Sequence, residues 1–166
     1  AQQHCQSATH EEQQQVAAAG RQFTAETERR YQGQNQSLAS AYARVDELES
    51  GVRGLAYASG QAATAGILDL LDAGSHVIAP LDFYGGTRRL FDQVRRRVGA
   101  LDFTWVDMSD PSAVAAAIRP TTKLIWIETP TNPLLKITDI AAIVAIARRH
   151  KVLTCVDNTF ATPYLQ

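Results

Sequence analysis

The sequence has few of the features that would assign it to a specialised class of protein. It contains two cysteines and one methionine in 166 residues. No apolar run approaches the ~20 residues that a membrane-spanning helix requires. The formal net charge is -1, so no excess of positive charge favours nucleic acid or an anionic membrane as a partner. These absences predict a cytoplasmic globular protein with neither kind of partner.

The two cysteines lie in contrasting contexts. Cys5 belongs to a polar, Gln-rich segment, whereas Cys155 lies inside an apolar run of strand length. A disulfide between them is therefore not expected. His4 and His10 flank Cys5, but their spacing matches no standard zinc pattern, so we predict no metal site.

The other two histidines stand apart from any cluster of metal-binding or acidic side chains. His76 follows a Gly-Ser pair, and His150 follows two arginines at the end of an apolar-periodic segment. We predict a loop position for His76 and a helix end for His150.

Residues 1–50 contain no proline and only two glycines, and they are rich in Gln, Ala, Glu and Arg. Such a composition favours helix and offers little core. Apolar residues recur every three or four positions near the end of this segment, at Leu38, Ala41, Tyr42, Val45 and Leu48. This spacing predicts a helix over about 37–49, and Gly51 and Gly54 follow it. We expect 1–50 to form a helical N-terminal arm and 51–166 to form the main domain.

From residue 51 onward, short apolar runs alternate with segments of helical periodicity. The predicted strands cover residues 55–58, 77–79, 101–106, 124–127 and 152–156. The predicted helices cover residues 61–71, 86–98 and 111–118 and a segment around 140–147. Regular alternation of this kind indicates an α/β fold, a three-layer arrangement with a mostly parallel sheet.

Polar residues follow four of the predicted strands. They are Ser59, Gly60 and Gln61 after the first strand, Tyr84 after the second, Asn132 after the fourth and Asp157 after the fifth. In open parallel sheets, ligands bind beyond the carboxyl ends of the strands, so these residues are candidates for one binding site. The combination supplies a helix N-terminus suited to phosphate, an aromatic ring, an amide and a carboxylate.

Each of these residues also has an ordinary structural interpretation. Ser59 is a suitable helix N-cap, and a tyrosine such as Tyr84 often packs over a glycine turn. The Thr-Asn-Pro sequence around Asn132 is typical of a turn, and Asp157 could cap the turn that follows its strand. Taken singly, the residues leave both interpretations open.

Five strings within this part of the chain carry a strong resemblance to a known family. They are ASG-x-AAT, LLDAGSHV, YGGT, WIETPTNP and VDNTFATPYLQ. From about Leu48 to Gln166, the chain resembles the Cys/Met-metabolism family of pyridoxal-phosphate enzymes, specifically its cystathionine gamma-lyase and gamma-synthase members. The resemblance implies the N-terminal part of the large domain of a fold-type I pyridoxal-phosphate-dependent transferase. It also implies a homo-oligomer that uses pyridoxal 5'-phosphate to eliminate or replace groups at the β or γ carbon of a sulfur-containing amino acid.

The resemblance implies a role for each candidate residue. The turn Ser59-Gly60-Gln61 is similar to the family's phosphate-binding turn, which acts through backbone amides, although Gln61 stands where the family usually has methionine. Tyr84 resembles the residue that stacks on the pyridine ring and helps proton transfer. Asn132 resembles the amide near the phenolic oxygen, and Asp157 resembles the carboxylate that pairs with the pyridine nitrogen. Tyr84 and Asp157 are thus the implied catalytic residues.

Two departures from the family pattern accompany the match. The family's Tyr-Ser-Arg-x-x-Asn-Pro-Thr segment has no arginine here, where Tyr31 and Asn35 are the remaining matches. The family's Schiff-base lysine follows the Asp-Asn-Thr motif, and none of the lysines here, Lys123, Lys136 and Lys151, matches it. We therefore expect a fragment of a transsulfuration enzyme. The alternative is a catalytically inactive truncated homologue or an interaction module.

Overall fold

The computed structural model describes residue 51, residues 54–165 and scattered residues before them: 26, 28–30, 32–33, 36, 39–40 and 43–44. The chain divides into two compact units, Ala1–Ala56 and Tyr57–Gln166. The scattered residues are helical and exposed, and Arg30 Nε donates a hydrogen bond to Glu26 Oε1 at 3.0 Å. Four of them fall in the predicted helix 37–49, whose other residues lie outside the described set. His4, Cys5, His10, Tyr31 and Asn35 lie outside it as well.

Parallel strands alternate with helices in the second unit. The elements in chain order are α1 (Gly60–Leu68), β1 (His76–Pro80), α2 (Gly85–Arg89), a π-helical segment (Leu90–Arg95), α3 (Arg96–Val98), β2 (Asp102–Val106), α4 (Pro111–Ala116), β3 (Thr122–Glu128), α5 (Ile140–His150), β4 (Leu153–Asp157) and α6 (Thr162–Leu165). The strand order is β2-β1-β3-β4, and all neighbouring strands are parallel. The predicted α/β fold is confirmed. No helix of the described residues is long and apolar enough to cross a membrane.

Local sequence explains where the longer helices begin. A side-chain oxygen accepts a backbone hydrogen bond at three helix starts: Ser59 from Ala62 at 3.1 Å, Asp110 from Ser112 at 2.9 Å and Asp139 from Ala142 at 2.9 Å. An N-cap of this kind contributes about 1 kcal/mol, because it satisfies an amide that has no acceptor within the helix. The interpretation of Ser59 as an N-cap is thus confirmed.

The sheet is buried on both faces. One face carries a core of Leu68, Val77, Ala79, Phe83, Phe91, Leu101, Phe103, Leu124 and Trp126. The other carries Ile78, Val106, Met108, Val114, Ile125, Ile127, Ile143, Ala147 and Val152. Successive residues of β1 and β3 alternate between the two cores, as the two-residue period of a strand requires. Covering helices on both faces complete a three-layer unit.

Two of the predicted elements need correction. Residues 55–58 do not form a strand: Leu55 and Tyr57 are 65% and 47% exposed, and none of the described strands pairs with this segment. The apolar run suits a strand, but a strand forms only where a neighbour accepts its backbone hydrogen bonds. The predicted helix 86–98 is helical from Gly85 to Val98, but its middle is π-helical.

His76 is not in a loop, as predicted, but is the first residue of β1 and is fully buried. Its Nδ1 lies 2.7 Å from Thr122 Oγ1 and its Nε2 lies 2.8 Å from Thr104 Oγ1, so both ring nitrogens have partners on adjacent strands. Burial, followed by the positive charge of Arg119, lowers the pKa of His76, and Asp102 opposes this shift. His150 ends α5, as predicted.

The lowered pKa of His76 predicts a loss of stability in mild acid. As the pH falls below the ordinary histidine pKa, the unfolded chain takes up a proton that folded His76 does not accept. We expect a lower urea midpoint at pH 5.5 than at pH 7.5, and we expect His76→Gln to reduce that difference. His150→Gln is the matched control, since His150 is exposed at a helix end. Equal pH dependence in the two variants would contradict the prediction.

Candidate functional site

Loops after β1, β3 and β4 meet the start of α1 at the carboxyl edge of the sheet and enclose a cleft of about 340 Å³. A cleft of this size is within the usual range for small-molecule sites. The residues predicted for the site all line it: Ser59, Gly60, Gln61, Tyr84, Asn132 and Asp157. Its other lining residues are Thr64, Thr87, Glu128, Pro130, Thr159 and Phe160. The structure thus brings together the residues that the sequence placed after separate strands.

The start of α1 forms part of the cleft lining. Ser59 uses its hydroxyl to accept from the Ala62 amide, so its side chain caps the helix. The other first-turn amides have no acceptor within a helix, and a helix dipole places partial positive charge on them. The first turn of α1 contains no acidic residue that would neutralise this charge. This part of the cleft therefore favours an anion.

Gln61 connects α1 to α2 in the cleft lining. Its Nε2 donates to Thr87 Oγ1 at 3.2 Å, and the Thr87 side chain is buried. Thr64 Oγ1 donates to the carbonyl oxygen of Gly60 at 2.9 Å and so closes the first turn. The Gln61–Thr87 contact holds the two helix starts together. Sequence reasoning did not identify Thr87, because the pairing depends on residues 26 positions apart.

Tyr84 precedes α2, and 48% of its surface is exposed at the cleft. Its ring lies so close to Gly86 that a Cβ on Gly86 would overlap the ring atoms. At Gly85, in contrast, the nearest atom to a Cβ would be Arg89 Nη1 at an ordinary 3.5 Å. The second glycine of the pair is therefore required for the observed position of the Tyr84 ring.

Asp157 ends β4, and one of its oxygens is already engaged. Oδ1 accepts from Thr159 N at 3.1 Å and from Thr159 Oγ1 at 2.5 Å, so the turn-capping interpretation is borne out by the contacts. None of the described residues donates a hydrogen bond to Oδ2. Thr159 thus fixes the orientation of the carboxylate and leaves one oxygen for a ligand.

Glu128 was not predicted as a site residue. It ends β3, is 4% exposed, and lies opposite Asp157 in the register of the two strands. Burial raises the pKa of Glu128, whereas hydrogen bonds from the backbone amides of Tyr84 and Asn132 act to lower it. The charges of Asp157 and Asp82 raise the pKa further. The sequence signal that could have identified Glu128 is a single glutamate directly after an apolar run of strand length.

The neighbouring thiol and the lysines are not positioned for chemistry in the cleft. Burial, followed by the charge of Asp157, raises the pKa of Cys155 to about 12, so this thiol stays protonated. Lys136 pairs with Asp107 at 2.7 Å, outside the cleft. Lys123 is exposed in β3, and Lys151 caps α5 with a φ of 57°. None of the three lysines lines the cleft.

Comparison with known proteins points to the same family as the sequence motifs. The family model for the Cys/Met metabolism PLP-dependent enzymes matches residues 4–166. A cystathionine beta-lyase of Coxiella burnetii is 50% identical over 76% of this chain and 33% of its own length. A cystathionine gamma-lyase of Bacillus subtilis is 49% identical over 80% of this chain and 35% of its own.

A solved structure agrees with the sequence comparisons. Cystathionine gamma-lyase from Lactobacillus plantarum, in complex with L-serine, has a TM-score of 0.71 and 53% identity over 72% of this chain and 31% of its own. The chain spans about a third of the length of these relatives. Their names cover both beta-lyase and gamma-lyase, so the match shows the family rather than one branch. The chain belongs to the Cys/Met metabolism family of pyridoxal-phosphate-dependent enzymes.

Proposed function

We propose that the cleft holds pyridoxal phosphate and that the chain supplies this part of the site to an enzyme acting on sulfur-containing amino acids. The reaction class is elimination or replacement at the β or γ carbon. The observation that carries the proposal is the meeting, in one cleft, of an anion-favouring helix start, an aromatic ring and a carboxylate with an open oxygen. The relatives' names, cystathionine beta-lyase and gamma-lyase, support the substrate class.

The side chains and amides of the cleft fit the chemical groups of the cofactor. First-turn amides at Ser59-Gly60-Gln61 suit its phosphate. The open oxygen of Asp157 suits the pyridine nitrogen, because a carboxylate favours the protonated form of a nearby base. When bound, pyridoxal phosphate supplies an electron sink for charge that develops on the substrate carbon.

Tyr84 and Asn132 complete the proposed contacts. The exposed Tyr84 ring offers a flat apolar face for stacking, and its hydroxyl can donate or accept a proton near the substrate. The Asn132 side chain carries an amide N–H that can donate to the phenolic oxygen of the cofactor. Its backbone is held by Glu128, which limits how far this side chain can move.

A second candidate function is that the 166 residues alone bind the cofactor or a partner but do not catalyse turnover. It is favoured by the finding that none of the three lysines lines the cleft, so no lysine amine is available there for a Schiff base. Saturable pyridoxal phosphate binding without cleavage of cystathionine would support this candidate over the first.

We also propose a cytoplasmic location for the protein.

We predict that Asp157→Asn keeps the fold but binds pyridoxal phosphate at least about ten-fold more weakly. A hydrogen bond to a charged group contributes about 1.5–3 kcal/mol, and the variant removes the charge while keeping the side-chain size. Titration followed by cofactor absorbance gives the affinity, and NMR of ¹⁵N-labelled cofactor reports protonation of its ring nitrogen.

Asp139→Asn is the matched control for this prediction. It makes the same change at an N-cap outside the cleft, where asparagine caps equally well. Equal affinity in Asp157→Asn and the control would remove Asp157 from the site. No saturable binding by the unmodified chain would reject the proposed function itself.

We predict that Gly86→Ala weakens pyridoxal phosphate binding without lowering stability. The new Cβ must displace the Tyr84 ring, whereas alanine in a helix is favoured over glycine by about 0.5–1 kcal/mol. Gly85→Ala is the matched control, since it adds the same group to the same helix without touching the ring. The measurements are cofactor titration and thermal unfolding. Equal affinities in the two variants would contradict a stacking role for Tyr84.

We predict that the chain self-associates. Leu134, Leu135 and Ile137 lie in the loop after β3 and are each at least 60% exposed, and adjacent exposed apolar side chains favour association. Light scattering should detect oligomers, and Leu134→Ser with Ile137→Ser should shift them towards monomer. Leu70→Ser, which removes an equally exposed leucine elsewhere, is the control. A monodisperse monomer of the unmodified chain would contradict the prediction.

A further inference from the structure

Glu128 joins two loops that approach the cleft from different strands. Its carboxylate accepts from the Tyr84 amide at 3.0 Å (Oε1) and 3.1 Å (Oε2), and from the Asn132 amide at 2.9 Å (Oε1). Tyr84 belongs to the connection after β1, and Asn132 belongs to the loop after β3. One side chain therefore holds the backbone of both segments at a fixed separation.

The choice of a carboxylate at this buried position has a physical explanation. Burial of an ionisable group is unfavourable unless hydrogen bonds compensate it, and Glu128 is almost fully buried. An ionised carboxylate accepts on both oxygens and donates nothing, so it can bind both amides at once. In an amide side chain of the same size, an NH2 donor replaces one of the two oxygens, and at the Oε2 position it could not accept from the Tyr84 amide. Hydrogen bonds from backbone N–H groups to a charged acceptor are also stronger than those to a neutral one.

The two residues that Glu128 holds by their backbones both line the cleft. The Tyr84 ring is limited on its other side by Gly86, so its position depends on where its own backbone lies. We infer that Glu128 is a positioning residue that sets the separation of Tyr84 and Asn132 in the cleft lining. The inference rests on the proposed function only for the identity of the ligand.

The charge of Glu128 has specific neighbours. Asp157 faces it from β4 and Asp82 faces it from the loop after β1, and both carry negative charge. The cleft lining contains no lysine or arginine within the described chain that would offset them. Uptake of a proton by Glu128 would replace an acceptor site with a donor, so the link between the two loops should weaken in acid.

The first test uses the unmodified chain without cofactor. In a ¹H–¹⁵N NMR titration, we expect the amide protons of Tyr84 and Asn132 to shift together, with one apparent pKa above the ordinary glutamate value. Two unrelated titrations, or none at these amides, would overturn the inference. This measurement needs no variant, so it remains decisive if a substitution of Glu128 fails to fold.

The second test uses Glu128→Gln, with Asp139→Asn as the control. We expect at least one of the Tyr84 and Asn132 amides to exchange with solvent ten-fold faster or more in Glu128→Gln at fixed pH, and the control to leave both unchanged. We also expect ten-fold weaker pyridoxal phosphate binding in Glu128→Gln. Unchanged exchange at both amides would overturn the inference.

The two proposals fail in different ways. If the unmodified chain does not bind pyridoxal phosphate, the proposed function fails, while the amide measurements still decide the role of Glu128. If the unmodified chain binds it, and Glu128→Gln binds it equally well with both amides still protected, only the positioning role fails.

Discussion

Burial of β1 and β3 on both faces is the constraint on which the rest of the second unit depends. All five residues of β1 and six of the seven in β3 are buried. Helices must then cover both sides of the sheet, so the chain crosses over between strands and the strands run parallel. Parallel strands end at one edge, and the loops that follow β1, β3 and β4 therefore share a cleft. The position of the site is thus a consequence of core packing.

The elements with strong periodicity could be predicted from the sequence. Helix α5 and strands β1 to β4 lie within a few residues of their predicted bounds, because apolar patterns and N-cap residues report local structure directly. The run at residues 55–58 shows the limit of this reasoning. Its apolar residues suit a strand, but strand formation depends on a neighbour, and sequence spacing does not reveal whether one is available. The π-helical segment inside the second predicted helix left no comparable signal.

The site was predictable where a residue follows a strand and missed where it acts through distant partners. Asp157 stands directly after an apolar run and Asn132 stands in the loop that follows another, which marks them as candidates. Gln61 was identified for its backbone, whereas its contact with Thr87 joins positions that only folding brings together. His76 was placed in a loop for the same reason, since the threonine hydroxyls that meet its ring lie on neighbouring strands. Long-range hydrogen bonds of this kind leave no periodic pattern.

The register of β3 and β4 places Glu128 and Asp157 side by side, and both line the cleft together with the start of α1. The cleft lining therefore combines helix amides, which favour an anion, with two carboxyl groups, which disfavour one. A ligand that carries both an anionic and a cationic group is favoured with its anion at the helix amides, since the reverse would place the anion against the two carboxyl groups. The fold thereby selects the direction of a bound molecule before any specific contact is made.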